Sequence, residues 1–313
     1  MITTACATPD LQFVICPDPA STSAPKRRMA YWQWGDPQAA HVVVCVHGLS
    51  RQGRDFDGLA QALCAHARSP LRVICPDVAG RGHSDWLSDP LAYQVPTYAA
   101  DMLALVAQLQ AQAPIAQLHW VGTSMGGLIG MVLAGQTDLQ THSPQWVPIS
   151  RLVLNDVGPV VAWKFIERLR TYIGQTGHFD SLQAGAEHLR RISTGFGPHT
   201  DAQWLALSTP MFKPVAQGGW RLHYDPQLAQ PVLALTPEAA RQGEAVLWQL
   251  YDQIQARTLL LRGADSDLLT PEVAQAMQTR GPCAIRVELP GVGHAPTLVA
   301  SDQVDAVVSF LLS

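Results

Sequence analysis

The pentapeptide Gly122-Thr123-Ser124-Met125-Gly126 places a serine between two glycines, each two residues away. A strand-like run, residues 118–121, precedes it, and a helix-like run, residues 127–133, follows. A serine at such a strand-to-helix turn sits in strained backbone, and the flanking glycines leave room for the close approach. Strain of that kind costs about 1–3 kcal/mol and clusters where it serves chemistry. The turn lifts the hydroxyl clear of the sheet and aims it at the amino end of the helix, where backbone N–H groups stabilise an anion. Ser124 therefore reads as a nucleophile. The pentapeptide alone also fits an ordinary tight turn of any α/β protein, so the rest of the chain has to decide.

The elements that must hold this serine alternate through the first half. Residues 29–34, 41–46 and 71–75 are rich in β-branched and aromatic side chains, as strands are. Residues 53–67 put apolar Phe56, Leu59, Ala60 and Leu63 on one helical face. Thr97 is placed to cap a helix over residues 98–110, with Pro114 ending it, and another strand follows at 151–155. This alternation predicts a mainly parallel sheet covered by helices on both faces. From 158 to about 252 the pattern changes to helix-like segments (162–173, 181–192, 201–207, 244–251) without a clear buried strand. Alternation resumes with a strand at 257–261, a helix at 271–278, a strand at 284–289 and a closing helix at 302–312. The expected division is a core of residues 1–157 and 253–313 with a helical cap at 158–252.

Composition narrows the function classes. The 313 residues are 47% hydrophobic and 15% charged, which suits a well-buried globular protein. The net charge is -4 and no basic stripe is present, which argues against a nucleic-acid partner. No apolar run approaches the ~20 residues that cross a bilayer, so no membrane partner is expected. Residues 1–10 lack a basic segment leading into an apolar core, so no secretory leader is expected. The six cysteines, Cys6, Cys16, Cys45, Cys64, Cys75 and Cys283, lack metal-type spacing, and Cys45 and Cys75 fall inside apolar runs. These features fit a reduced, cytoplasmic compartment.

The chain resembles the α/β-hydrolase superfamily, in its lid-bearing, esterase-like branch. The resemblance spans nearly the whole chain and rests on four motifs in order. Residues 42–48 (Val-Val-Val-Cys-Val-His-Gly) look like the strand and His-Gly turn of the family's oxyanion loop. Residues 77–84 (Asp-Val-Ala-Gly-Arg-Gly-His-Ser) resemble its Asp-x-x-Gly-x-Gly-x-Ser segment, Ser124 occupies the nucleophile elbow, and Gly293-His294 follows the last strand. The order Ser, Asp, His is the one this fold uses. The resemblance implies a mainly parallel eight-stranded sheet flanked by helices, with a helical cap, and a Ser-His-Asp triad.

In that frame His294 is the candidate general base, since imidazole accepts a proton near neutral pH. It needs a carboxylate to fix its tautomer. The resemblance favours Asp267, shortly before Thr270-Pro271, where Thr270 would cap a helix that Pro271 opens. Asp265 is an alternative, and so is Asp156, because some family members keep the acid at the end of that earlier strand. The oxyanion donors implied are the backbone amides of Met125 and Leu49. His47, His83 and Asp77 are read as shaping their loops. No cofactor is implied, and the histidines show no paired zinc spacing.

The aromatic-rich insertion suggests an apolar acyl or alcohol group in a small-molecule ester. Arg51 and Arg54, just after the oxyanion loop, are candidate receivers of a substrate carboxylate, although local Asp55 and Asp57 compete for them. A carbon–carbon bond hydrolase of a ring-cleavage diketone is the enzymatic alternative. A non-catalytic ligand receptor on the same fold is another, because fold alone does not establish function. Haloalkane and epoxide chemistry on this fold uses an aspartate nucleophile, which serine at 124 argues against.

Overall fold

The computed structural model describes residues 8–18 and 26–313. Cys6 and most of residues 1–10, where a secretory leader would begin, lie outside the described residues. The strands in chain order are β1 (Asp10–Pro17), β2 (Lys26–Gly35), β3 (His41–Val46), β4 (Leu71–Pro76), β5 (Gln117–Thr123) and β6 (Ile149–Asn155). A hairpin of β7 (Phe212–Pro214) and β8 (Trp220–Leu222) stands apart, and β9 (Arg257–Gly263) and β10 (Ile285–Leu289) complete the main sheet. That sheet has eight strands in the order β1-β2-β4-β3-β5-β6-β9-β10. β2 runs antiparallel to both β1 and β4, and from β4 to β10 all neighbours are parallel. The expected α/β class is therefore the observed one.

Helix α1 (Asp57–His66) follows a single 3-10 turn (Gly53–Phe56) after β3, and α2 (Val95–Gln112), α3 (Met125–Gly135) and one-turn α4 (Leu139–His142) come before β6. Between β6 and β9 lie α5 (Trp163–Arg170), α6 (Leu182–Ile192), α7 (Asp201–Ser208), α8 (Ala229–Ala234) and α9 (Pro237–Gln253). α10 (Pro271–Met277) precedes β10, and α11 (Ser301–Leu312) closes the chain. β3 and β4 are apolar at nearly every position because helices cover both faces. α1 and α11 bury Leu59, Leu63, Val307 and Leu311 on one face against Val43 and Val121. α2 and α3 bury Met102, Leu105 and Ile129 on the other, against Val44 and Leu154.

Three details differ from the sequence reading. α2 starts at Val95, not after a Thr97 cap: Pro96 occupies its first turn, where a fixed φ and a missing N–H cost nothing. β1 is an edge strand with mostly exposed side chains, so no buried pattern marks it. The β7–β8 hairpin has three-residue strands, too short for periodicity to show. By contrast, Thr270 does cap α10, its hydroxyl accepting the Val273 N–H, with Pro271 in the first turn.

The segment between β6 and β9 lies over the Ser124 end of the sheet. It is tied to the loop after β4, where Gly82 N–H donates to His223 O (3.0 Å) and Asp225 N–H to Gly80 O (2.7 Å). It is tied again to the loop after β10, where Gly293 N–H donates to Gly195 O (2.7 Å). α9 runs along α3 so closely that a Cβ on Gly135 would come within 2.3 Å of the Leu250 carbonyl oxygen. α9 thus packs on α3, one of the sheet's own helices.

Candidate active site

Ser124 is the residue between β5 and α3, and its backbone is left-handed (φ 52°, ψ -116°). A side chain there is strained. Two contacts make the turn obligatory for glycine on either side. A Cβ on Gly122 would meet Gly126 O at 2.3 Å, and one on Gly126 would meet Val46 O at 2.0 Å. The glycine spacing therefore reports a physical approach of α3 to β5 and β3. Ser124 N–H donates to Asn155 O (3.0 Å), which anchors the elbow to the end of β6.

Three of the residues read from sequence come together here: Ser124, His294 and Asp156, the last named as an alternative acid. His294 Nε2 lies 3.0 Å from Ser124 Oγ. The imidazole is packed edge-on against the Phe165 ring, centroids 4.8 Å apart. The carboxylate on its other nitrogen belongs to Asp156, with Nδ1 2.8 Å from Asp156 Oδ2. Asp156 is the residue just past β6, fully buried, with left-handed backbone (φ 55°) that turns its side chain back toward the sheet edge. It also accepts Gly263 N–H on Oδ1 (2.9 Å) and the Ser266 hydroxyl on Oδ2 (2.6 Å). A buried carboxylate needs partners of this kind to remain charged.

Asp267 is not at the histidine, contrary to the expectation. Its carboxylate makes a two-point contact with Arg168 Nε (2.8 Å) and Nη2 (3.0 Å), with 36% of the side chain exposed. Asp265 is exposed as well. The physical reason lies in the turn itself. Ser266 Oγ accepts the Leu268 and Leu269 N–H groups (3.2 and 3.1 Å) while donating to Asp156, so the loop directs its serine inward and its acids outward. No motif in the sequence marks Ser266. Asp156 was marked only by its place at a strand end.

The loop after β3 is held from several sides. His47 is fully buried; its Nδ1 donates to Gly48 O (2.7 Å) and its Nε2 accepts Val78 N–H (2.9 Å). Burial pushes this imidazole down to about 3, and the Arg81 and Arg51 charges add to the effect, so the ring stays neutral. The Gly48 carbonyl also accepts Arg51 N–H (3.1 Å). Because a peptide is planar, fixing that carbonyl fixes the Leu49 N–H on the opposite side. Met125 is the first residue of α3, where N–H groups lack helical partners. Asp77 is buried and accepts Gly53 N–H (2.8 Å) and His83 N–H (2.9 Å), while burial pushes its carboxyl up to about 6. His47 and Asp77 thus organise loops.

Residues 43–310 match a family model described as the alpha/beta hydrolase family. The chain belongs to that family. Over 302 residues it is 47% identical to a 3-hydroxybutyrate-oligomer hydrolase of Cupriavidus necator, covering 95% of this chain and 96% of that one. Among solved structures, an alpha/beta hydrolase from Novosphingobium aromaticivorans is 31% identical, with a TM-score of 0.78, covering 97% of this chain and 98% of that one. An esterase of Mycobacterium tuberculosis, 21% identical with a TM-score of 0.68, covers 96% of this chain and 90% of that one and shares the fold.

In this alpha/beta hydrolase the serine opens into a cavity of about 210 Å³ between the sheet end and the β6–β9 segment. Leu49, Phe165, Leu189, Leu207 and Met211 make much of its wall apolar. Arg51 lines it, yet its guanidinium is occupied by Asp55 (2.7 and 2.6 Å) and the Leu207 carbonyl (3.1 Å). Arg54 lies outside the cavity, paired with Asp57 and stacked over Trp32 at 4.8 Å. Both arginines took the local acids. Arg168 also lines the cavity, and its guanidinium lies 5.0 Å from the Phe165 ring centroid. Among the described residues no three His, Cys, Asp or Glu side chains converge as a metal site, and no helix is long and apolar enough to cross a membrane.

Proposed function

We propose that this chain is a serine hydrolase of carboxylic esters that works through an acyl-enzyme. The observation that carries the reading is the unbroken chain of contacts from Ser124 Oγ to His294 (3.0 Å) to Asp156 (2.8 Å) at the floor of an apolar cavity. Asp156 accepts a hydrogen bond from Nδ1–H of His294, which leaves Nε2 free to take the Ser124 proton during attack. The Met125 and Leu49 amides receive the negative charge that develops on the carbonyl oxygen, a contribution of roughly 2.7–4 kcal/mol per donor in such sites. His294 then returns its proton to the leaving alcohol, and water repeats the sequence to release the acid. The β6–β9 segment acts as the lid, which excludes bulk water while the ester is bound.

The substrate class we assign is a short oligomer of a 3-hydroxy acid. Such oligomers are joined by esters between the hydroxyl of one unit and the carboxyl of the next. The relative from Cupriavidus necator, 47% identical over nearly its whole length, carries that substrate in its name. A cavity of about 210 Å³ agrees with small units, being below the roughly 300–1,000 Å³ of drug-sized pockets. The test is hydrolysis of the 3-hydroxybutyrate dimer and trimer beside neutral alkyl esters of equal length, with Ser124→Ala as control. Ser124-dependent cleavage of the oligomers, together with fluorophosphonate labelling that Ser124→Ala abolishes, is the expected result. Cleavage that persists in Ser124→Ala, or wild-type protein inert to every ester, rejects the reading.

A further inference from the structure

Arg81 is fully buried, and its guanidinium touches both residues whose amides the ester-hydrolase reading assigns to the oxyanion. Nε donates to the Leu49 carbonyl oxygen (2.7 Å), and Nη2 approaches the Met125 sulfur (3.4 Å). Nη1 donates to the Ala79 carbonyl (2.6 Å) and the Tyr98 hydroxyl (3.0 Å). The guanidinium plane is bounded by the Tyr98 ring at 4.9 Å and the Tyr93 ring at 5.7 Å. All its nitrogens have partners, but among the described residues it forms no ion pair. A buried cation without a carboxylate is costly unless carbonyl and hydroxyl dipoles surround it. The fold bears that cost at the point where the loop after β3 and the first turn of α3 must hold a fixed separation.

We propose that Arg81 is a positioning residue of the oxyanion hole, gripping Leu49 and Met125 so that their N–H groups converge on one point. The planar guanidinium fork suits this task, because it spans two acceptors in a rigid geometry, whereas a lysine ammonium reaches one at a time. Its backbone reinforces the arrangement: Arg81 forms a β-bridge with Tyr224, so the lid segment and the oxyanion loop share this residue. Arg81 touches no reacting atom, so its replacement acts through the two amides.

This inference rests on the ester-hydrolase reading, and the experiment separates the two. Hydrolysis of 4-nitrophenyl butyrate is measured for wild type, Ser124→Ala, Arg81→Lys and Arg81→Ala, together with inhibition by an alkyl trifluoromethyl ketone, which mimics the tetrahedral state. Arg81→Lys is expected to lower kcat roughly tenfold or more with KM changed less than about twofold, and to weaken the ketone by the same factor. In Arg81→Ala, millimolar guanidinium restores part of kcat and methylammonium does not. Arg81→Lys with wild-type kcat and ketone affinity overturns the proposal, as does a loss confined to KM. If Arg81→Ala does not fold, the Arg81→Lys comparison decides alone. Hydrolysis that survives Ser124→Ala overturns the underlying reading instead, whatever Arg81 does.

Discussion

Two loops at the same end of the sheet each offer an aspartate, and the protein treats them in opposite ways. Asp156, after β6, is fully buried and holds three hydrogen-bond donors: an imidazole, a backbone N–H and a hydroxyl. Asp267, after β9, is over a third exposed and is answered by one arginine at the surface. The first environment orients a partner because three donors engage both carboxylate oxygens and burial keeps water from competing. The second is an ordinary surface pair, worth about 0–1 kcal/mol. Proximity in sequence to a helix start therefore says less about an acid's role than whether its carboxylate is dry and fully engaged.

The largest effect is expected where the two aspartates are exchanged for amides. Asp156→Asn keeps the shape but offers an N–H₂ to an imidazole nitrogen that must itself donate. The wrong tautomer results, and kcat is expected to fall by about four orders of magnitude, as for triads of this geometry. Asp267→Asn breaks only the Arg168 pair, and its kcat is expected to stay within about twofold of wild type. Steady-state kinetics on one ester decides between them. The reverse ranking would return the acid's role to the loop after β9.

Much of this was legible in the residues, and the boundary of legibility is itself physical. The elbow could be read because Gly122, Ser124 and Gly126 obey contacts within five residues, and those contacts appear as the 2.3 and 2.0 Å approaches at the two glycines. Strand β3 matches residues 41–46 as read, because a strand covered on both faces is apolar at almost every position. His294 followed from its place after the last strand. The acid did not follow, because its choice depends on β6 lying between β5 and β9 and on a hydroxyl at residue 266 turning inward. Local rules did anticipate Arg51 and Arg54, which pair with Asp55 and Asp57 three or four residues away. The grip of Arg81 on Leu49 and Met125 spans residues 49–125 and leaves no local pattern to detect.

The contrast between dry and wet groups extends to stability against acid. Burial pushes His47 down to about 3 and His119 and His223 each to about 4, and His41, His83 and His188 move the same way. In the unfolded chain these imidazoles titrate near 6.5, so between about pH 6.5 and 4 the unfolded state binds protons that the folded state refuses. Their stabilisation is present above pH 6.5 and is lost as pH falls. Asp77 opposes them: its carboxyl, raised to about 6, holds a proton between about 3.8 and 6 that the unfolded chain has released. Burial also raises Asp55, Asp57 and Asp101, which oppose the histidines in the same way. The six lowered histidines outnumber these four carboxyls, so the urea midpoint is expected to drop on acidification from pH 7 to 4.5. His119→Gln, at the end of β5 away from Ser124, removes on the order of 3 kcal/mol of that dependence by pH 4. A midpoint that is flat or rises toward acid contradicts this assignment.

Ser266→Ala is expected to change less than Asp156→Asn and gives the sharpest view of how the two loops cooperate. The hydroxyl donates to Asp156 Oδ2 at 2.6 Å, the same oxygen that holds His294, and accepts the Leu268 and Leu269 N–H groups. Removing it leaves the carboxylate its imidazole and the Gly263 N–H, so the triad persists with a less constrained acid. A hydrogen bond to a charged group contributes about 1.5–3 kcal/mol, which sets a fall in kcat of roughly ten- to a hundredfold. The effect belongs to the carboxylate only if it disappears when that carboxylate is absent. In the Asp156→Asn background, Ser266→Ala is therefore expected to cost almost nothing further, a coupling that a double-mutant cycle measures directly. Equal losses in both backgrounds would mean that Ser266 acts through the Leu268–Leu269 turn, and the loop after β9 would then support the site by shape alone.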